Sequence, residues 1–236
     1  MTELFTSKVF SITITLCVFY FAQKMYARWK YALLNPVLLS ILALIAFLKL
    51  THVSYADYFE GGQIISFFLG PAVVALGVPL YLQLPEIKKR GKAILLAVLL
   101  GSAGGILAAA GIAAALGASR AVIISLAPKS ATTPIAMGIV EKLGGIPALT
   151  AAIVIATGIL GAVAGPWFLK LIGVTSPTAF GLALGAAAHG IGTARAVEEG
   201  EIQGALSGLA LGLNGIFTAI LTPLLLKWLL HVFGNP

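Results

Sequence analysis

Two short stretches of this chain place polar side chains and helix-breaking residues inside segments that are otherwise apolar. The first is APKSATTPIA, residues 127–136, and its polar members are Lys129, Ser130, Thr132 and Thr133. Each proline in it lacks a backbone N–H and disfavours helix in the residue before it. We therefore predict that the chain is unwound here and that a half-helix starts at Pro134, with Thr133 as its N-cap. A lysine, three hydroxyls and a helix N-terminus together suit an anion; the plainer alternative is a proline kink whose hydroxyls bond back to the helix.

The second stretch is HGIGTARA, residues 189–196, which interrupts a run of small apolar residues. Its glycines permit a break, and its threonine and arginine offer donors; the residues concerned are His189, Gly190, Gly192, Thr193 and Arg195. It is not a dinucleotide fingerprint, because G-x-G-x-x-G fails at Arg195 and no strand precedes it. The alternative is structural: a lone histidine is usually hydrogen-bonded within a core, and Arg195 could form an ion pair with Glu198 three residues later.

Asn214, within ALGLNGIFTA, is a further polar residue at apparent membrane depth. It either joins helices by hydrogen bonds or contacts a substrate. The hypothesis is that the polar groups of the two broken stretches and this asparagine form one anion-binding site. Its residues would be Lys129, Ser130, Thr132, Thr133, His189, Gly190, Gly192, Thr193, Arg195 and Asn214.

Acidic and basic residues are distributed differently along the chain. All eight acidic residues lie in loops or at segment ends, whereas a cation antiporter or proton pump usually needs a buried carboxylate. Arg120, Lys129 and Arg195 lie within or beside membrane-depth segments, where a charge is costly and marks a functional candidate. The chain has no G-x-S-x-G and no nucleophile–base pair, so we expect neither enzymatic activity nor catalytic residues. Nothing indicates a cofactor or a metal.

The composition is that of an integral membrane protein. Of the 236 residues 59% are hydrophobic and 10% are charged, against about 25% charged in soluble domains. We predict an all-α, polytopic helical bundle of roughly seven to nine segments, forming one domain over residues 1–236. The net charge of +7 reflects cytoplasmic loops rather than nucleic-acid binding, and the single cysteine, Cys17, allows no intrachain disulfide.

Apolar runs separated by charged or glycine- and proline-rich stretches define the predicted segments. They are 9–22, 33–50 (opened by Asn35-Pro36), 63–82, 93–116, 120–142, 147–171, 178–197 and 202–230. Residues 51–62 are predicted to be an outside loop, and 24–30 and 85–92 to be cytoplasmic basic loops. Lys170 and Lys227 suggest that the segment ends that carry them lie on the cytoplasmic side, and the acidic run 198–201 suggests the outer side. The number of membrane crossings agrees with these assigned sides in either of two cases. In the first, residues 120–142 form a re-entrant hairpin; in the second, residues 93–127 form two short helices split near 101–105 or 117.

A weak internal repeat relates residues 69–89 to residues 126–145, since each has two prolines, a short helical stretch and a charged loop. Repeat halves of about 30–116 and 117–230 would follow, as in transporters whose broken helices meet near the bilayer midplane. Glycines spaced four apart, for example Gly181 and Gly185, indicate close helix packing.

Several motifs resemble the LrgB/CidB family. They are NPVLLSI (35–41), FFLGPAVVALGVPLY (67–81), the run 129–166 that begins KSATTPIA, and the run 184–225 that contains HGIGTARA. The resemblance covers almost the whole chain. It implies a multi-pass protein of the bacterial plasma membrane that works with a small LrgA- or CidA-like membrane partner; a homo-oligomer is left open.

Two functions follow from this resemblance and from the polar stretches. The family includes proteins described as antiholin-like or holin-like regulators of murein hydrolase export and lysis. It also includes the C-terminal half of a plant plastidial glycolate/glycerate translocator, and pyruvate-uptake pairs. We predict a carrier of small monocarboxylates such as pyruvate, glycolate or glycerate. The alternative is an antiholin-like regulator that carries no solute.

Overall fold

The computed structural model describes residues 7–29, 34–68, 71, 74, 81 and 84–232. The chain forms two compact units, Met1–Ala75 and Leu76–Pro236, each of which is described by itself. Within the described residues all regular structure is helical. The predicted all-α class is therefore confirmed.

The first unit contains the helices α1 (Lys8–Trp29), α2 (Pro36–Thr51) and α3 (Tyr55–Phe67). Asn35 caps α2, as the Asn35-Pro36 pair suggests: its Oδ1 accepts hydrogen bonds from the backbone N–H groups of Val37 and Leu38 at 2.9 and 3.2 Å.

The prediction of a loop over 51–62 is wrong, because α3 occupies most of it. Ser54 caps this helix by accepting from the N–H of Asp57, and Gly61 packs against the α1 backbone at Lys8. The Thr15 and Tyr58 hydroxyls meet at 2.7 Å. Some of the polar and small residues that suggested a loop, such as Tyr58 and Gly61, therefore form contacts between α3 and α1.

The second unit contains six helices within its described residues. They are α4 (Leu84–Ala115), α5 (Arg120–Leu126), α6 (Thr133–Leu143), α7 (Pro147–Leu171), α8 (Pro177–Glu199) and α9 (Glu201–Val232). The predicted segment 147–171 coincides with α7. The predicted basic loop 85–92 is instead the start of α4, which also passes through 101–105 unbroken, so a split there is wrong.

Four helices of the described chain are long and apolar enough to cross a membrane. They are Lys8–Trp29, Gly91–Ala115, Pro147–Leu171 and Glu201–Val232. Three of them, in α4, α7 and α9, belong to the second unit.

The helices α4 and α9 run parallel. Val98 packs in one cluster with Ala205, and Gly111 lies beside Leu229. The helix α7 runs the opposite way, because its last turn packs against the start of α8, at Leu169 and Phe180. We call the two ends of this unit the Lys170 end (the start of α4 and α9, the end of α7) and the Arg120 end (the end of α4 and α9, the start of α7).

The helices α5 and α6 form a re-entrant hairpin, here named hairpin A. Arg120 begins α5 and Leu143 ends α6, yet both line one cavity at the Arg120 end. With 7 and 11 residues the two helices are about 10 and 16 Å long, so neither crosses a hydrocarbon core of about 30 Å. The re-entrant alternative for 120–142 is therefore the one the structure adopts.

The element α8 consists of two helical limbs that form a second re-entrant hairpin, named hairpin B. The chain reverses between the limbs at Ala188 and His189, whose backbone angles are not helical. Its first limb runs parallel to α9, since Gly181 meets Gln203 and Gly185 meets Ser207. Its second limb runs antiparallel, since Thr193 bonds Ser207 and Val197 contacts Gly204.

Hairpin B therefore starts and finishes at the Lys170 end. Two expectations are wrong as a result. Lys170 and Lys227 lie at opposite ends of the unit, and the acidic run 198–201 lies at the same end as Lys170. Both errors came from treating 178–197 as one crossing.

A crossing helix followed by a hairpin thus occurs twice, as α4 with hairpin A and as α7 with hairpin B, in opposite directions. Inverted repeats of this kind are common in transporters. The first copy of the predicted repeat, 69–89, lies largely outside the described residues, as does most of the predicted segment 63–82.

Candidate functional site between the hairpin tips

The tip of hairpin A is unwound, as the two prolines predict. Residues 127–132 are turn and coil between α5 and α6. The N-cap of α6 is Thr132 rather than the predicted Thr133, which is the first helical residue, and the Thr132 side chain makes no capping bond. Pro134 lies in the first turn, where its missing N–H costs no helical bond.

Asn214 replaces the donor that Pro134 lacks. In a continuous helix the carbonyl of Ser130 would accept from the N–H of residue 134, but a proline there has none. The Nδ2 of Asn214 donates to this carbonyl at 2.9 Å, from α9. Asn214 is fully buried, so it holds the tip against the bundle rather than facing solvent.

Ser102 completes this anchor from α4. Its Oγ lies 2.6 Å from Oδ1 of Asn214, to which it donates, and 2.7 Å from the carbonyl of Val98. Sequence reasoning missed Ser102, although it is a lone polar residue in the glycine-rich GSAGG. One asparagine thus ties α4, α9 and hairpin A together.

The tip of hairpin B is set by the backbone of His189. This residue has φ 42° and ψ −136°, a conformation that side-chain-bearing residues rarely adopt. Its Nε2 lies 2.8 Å from the carbonyl of Val154 on α7, and its own carbonyl accepts from the Thr193 hydroxyl at 2.9 Å. His189 therefore holds the reversal in place, as the structural alternative proposed.

Glycines on α7 allow the close packing of the hairpin B tip against that helix. A Cβ at Gly158 would lie 2.6 Å from the imidazole of His189, and one at Gly161 would collide with Ala188. The hydroxyl of Ser207 on α9 donates to that of Thr193 at 3.0 Å, which fixes the second limb.

Val154 links the two tips. Its carbonyl is the partner of His189, and its side chain packs in one buried cluster with Ala131 of tip A and Ala136 of α6. The two interruptions that the sequence marks out thus meet at one residue in the first half of α7.

A cavity of about 460 Å³ lies between α4, tip A and the first limb of hairpin B. Its walls are Ala97, Val98, Gly101, Gly105, Lys129, Ser130, Ala179, Leu182, Ala183, Ala186 and Ala187. Lys129 is the one charged residue among these described walls, and its ammonium donates to the Ser130 hydroxyl at 3.2 Å. The lining continues from Lys129 at mid-bundle to Ala179 near the Lys170 end. The arrangement is a largely apolar chamber with a cation and a hydroxyl at its base, which suits a small anion.

The structure brings together only part of the predicted site. Lys129 and Ser130 line the cavity; Thr132, Thr133, His189, Gly190, Gly192, Thr193, Arg195 and Asn214 do not. His189, Thr193 and Asn214 hold the two tips. The guanidinium of Arg195 forms ion pairs with Glu198 at 2.7 Å and with Glu199, as the i,i+3 alternative suggested.

Crossing helices with two opposed re-entrant hairpins define a polytopic α-helical membrane protein with a polar interruption in each hairpin. The chain belongs to the LrgB-like family, whose model matches residues 15–228. The expected family is confirmed.

Relatives from Bacillus match most of this chain. The uncharacterized proteins YxaC and YwbG of Bacillus subtilis are each 38% identical over 94% of it, and over 96% and 98% of their own lengths. The antiholin-like protein LrgB of Bacillus cereus is 35% identical over 93% of this chain and 96% of its own. No solved structure matches the chain.

Proposed function

We propose that this protein is a carrier of small monocarboxylates, rather than an enzyme, and that it binds the carboxylate beside Lys129. The observation behind this proposal is a lysine at the base of a chamber of about 460 Å³, inside a bundle that crosses a membrane. A cation at that depth costs about 2.5–3.5 kcal/mol on insertion scales, so its presence calls for a functional reason.

In this proposal the Lys129 ammonium and the Ser130 hydroxyl receive the carboxylate. The small walls of α4 and hairpin B accommodate a short carbon skeleton such as that of pyruvate, glycolate or glycerate. The substrate enters from the Lys170 end, along the line from Ala179 to Lys129, and movement of the hairpins gives access to the opposite end.

A second candidate function is antiholin-like regulation of murein hydrolase activity and lysis. The names of the relatives favour it: those from Bacillus cereus are called antiholin-like, and none of the relatives quoted above is named for transport. As a regulator the protein would modulate a small LrgA- or CidA-like partner in the bacterial plasma membrane. As a carrier it would work with the same kind of partner.

Uptake by proteoliposomes tests the carrier. We expect labelled pyruvate or glycolate to enter vesicles that contain the protein, with or without an LrgA-like partner, faster than empty vesicles. Lys129→Ala should abolish this uptake, and Lys170→Ala, at an exposed lysine, should not. Uptake no greater than in empty vesicles under both conditions would refute the proposal.

Chemical labelling separates the two candidates independently of substrate choice. A carrier needs a water-filled cavity at mid-membrane and a regulator does not. In a Cys17→Ser background, a membrane-impermeant thiol reagent should label Ala186→Cys in the cavity but not Leu160→Cys on the exposed surface of α7. Protection of Ala186→Cys by pyruvate or glycolate supports the carrier. An unlabelled Ala186→Cys, together with lysis control that survives Lys129→Ala in cells, supports the regulator.

A further inference from the structure

A groove between α6 and α9 forms a second feature of this unit, away from the Lys129 cavity. It consists of two adjoining cavities, of about 580 and 470 Å³, which share Leu143 and Pro223 as walls. The first lies at the Arg120 end, and the second continues inward to Pro134.

The mouth of this groove is basic. Arg120, Lys227 and His231 line the outer cavity, and Lys142 lines the inner one. None of the described residues that line either cavity is acidic. The mouth therefore favours a negatively charged group over a neutral or positive one.

The floor of the groove is apolar and open to the side. Leu224 and Trp228 line the outer cavity with 62% and 60% of their surfaces exposed, so the groove opens to the side of this unit. From His231 to Ala219 the groove follows α9 for 12 residues, which is about 18 Å. One leaflet supplies half of a hydrocarbon core of about 30 Å, so this length accommodates one acyl chain.

We propose that the groove between α6 and α9 binds an anionic phospholipid, with its phosphate at Arg120 and Lys227 and an acyl chain along the apolar floor. Basic pockets between membrane helices bind anionic headgroups in this way. Trp228, which follows Lys227 in the outer cavity, suits the membrane–water interface. The proposal is independent of what the Lys129 cavity binds.

The test uses the full-length protein in detergent micelles, titrated with phosphatidylglycerol or phosphatidylcholine, with bound lipid counted by native mass spectrometry. We expect phosphatidylglycerol to bind at least tenfold more tightly. Arg120→Gln and Lys227→Gln should each weaken that binding about fivefold, the usual effect of one basic residue near a lipid surface. Lys170→Gln, at the opposite end, is the matched control and should leave it unchanged.

A second pair of variants tests the acyl-chain floor while keeping every charge. Gly138 lines the inner cavity and a Cβ there meets nothing within 4 Å, so Gly138→Leu should fill the groove without disturbing the helix. Gly104→Leu, on α4 and equally uncrowded, is its control. We expect Gly138→Leu to weaken phosphatidylglycerol binding about tenfold and Gly104→Leu to have no effect.

Three results would overturn the proposal. They are equal binding of the two lipids, binding that survives both the charge variants and Gly138→Leu, and displacement of the lipid by inorganic phosphate at equal concentration. The last result would show a site for free anions instead of a lipid.

Discussion

Replacing Asn214 by alanine is expected to release the tip of hairpin A, because Asn214 supplies the donor that Pro134 lacks. Loss of Asn214 leaves the partly buried Ser130 carbonyl without this partner, and leaving a polar group unsatisfied costs about 1–3 kcal/mol. Loss of the hydrogen bond from Ser102 adds about 0.6 kcal/mol, the average for interhelical bonds in membrane proteins. We therefore expect Asn214→Ala to lower the free energy of unfolding by about 1.6–3.6 kcal/mol.

The double variant Asn214→Ala/Pro134→Ala separates this explanation from a simple loss of packing. Alanine at position 134 restores a backbone N–H four residues after Ser130, so the tip can rewind and satisfy the carbonyl. The two substitutions should therefore be non-additive, with a coupling of about 1 kcal/mol or more. Rewinding also withdraws Lys129 from the cavity, so stability should return while uptake stays low.

Unfolding of the purified variants by sodium dodecyl sulfate in mixed micelles measures the stability, and proteoliposome uptake measures the function. Thr218→Ala is the control, because the Thr218 hydroxyl reaches Oδ1 of Asn214 only at 3.4 Å. The reasoning fails if Asn214→Ala costs less than about 0.5 kcal/mol, or if its effect adds to that of Pro134→Ala.

Three further predictions concern hairpin B. Because His189 has a φ of 42°, His189→Ala should be less stable than His189→Gly by about 1–2 kcal/mol, although both lose the bond to Val154; equal stabilities in the same assay would contradict the inferred backbone strain. Gly158→Ala should displace the imidazole and cost about 1–3 kcal/mol, whereas Gly104→Ala should be neutral; the thermal unfolding midpoints of the two variants decide this. Arg195→Gln should leave monocarboxylate uptake nearly intact, since Arg195 forms ion pairs with Glu198 and Glu199 and is not among the walls of the Lys129 cavity; a loss as complete as in Lys129→Ala would place Arg195 at the substrate.

The polar interruptions could be predicted from the sequence because their causes are local. Two prolines around Lys129 determine an unwound stretch whatever surrounds them, and the shift of the N-cap to Thr132 is an error of one residue. A lone histidine and an arginine three residues before a glutamate also indicated structural roles that the contacts of His189 and Arg195 display. These predictions require only proline geometry and helical spacing, and they do not depend on knowing the fold.

The reversal of hairpin B could not be predicted in this way because its causes lie on other helices. Residues 178–197 have the length of a crossing and begin with a run of small apolar residues, and they contain no proline. The turn at Ala188 and His189 exists because Gly158 leaves space for the imidazole and Ser207 bonds the second limb. Residues 51–62 were wrongly predicted as a loop for a related reason, since Tyr58 and Gly61 contact α1.

The two tips differ in how they use their polar groups, and this difference locates the candidate site. In hairpin B the imidazole of His189 and the Thr193 hydroxyl both bond to backbone or to a buried hydroxyl, so they stabilise the reversal. In hairpin A a residue on another helix, Asn214, holds the backbone, and the Lys129 side chain extends into the cavity beside Ser130. The half-buried side chain of Lys129 does not stabilise a turn that Asn214 already anchors, and a charge at membrane depth lowers the stability of the bundle. A ligand with a negative charge offsets that cost, so the cavity beside Lys129 rather than the conspicuous HGIGTARA stretch is where the substrate is expected.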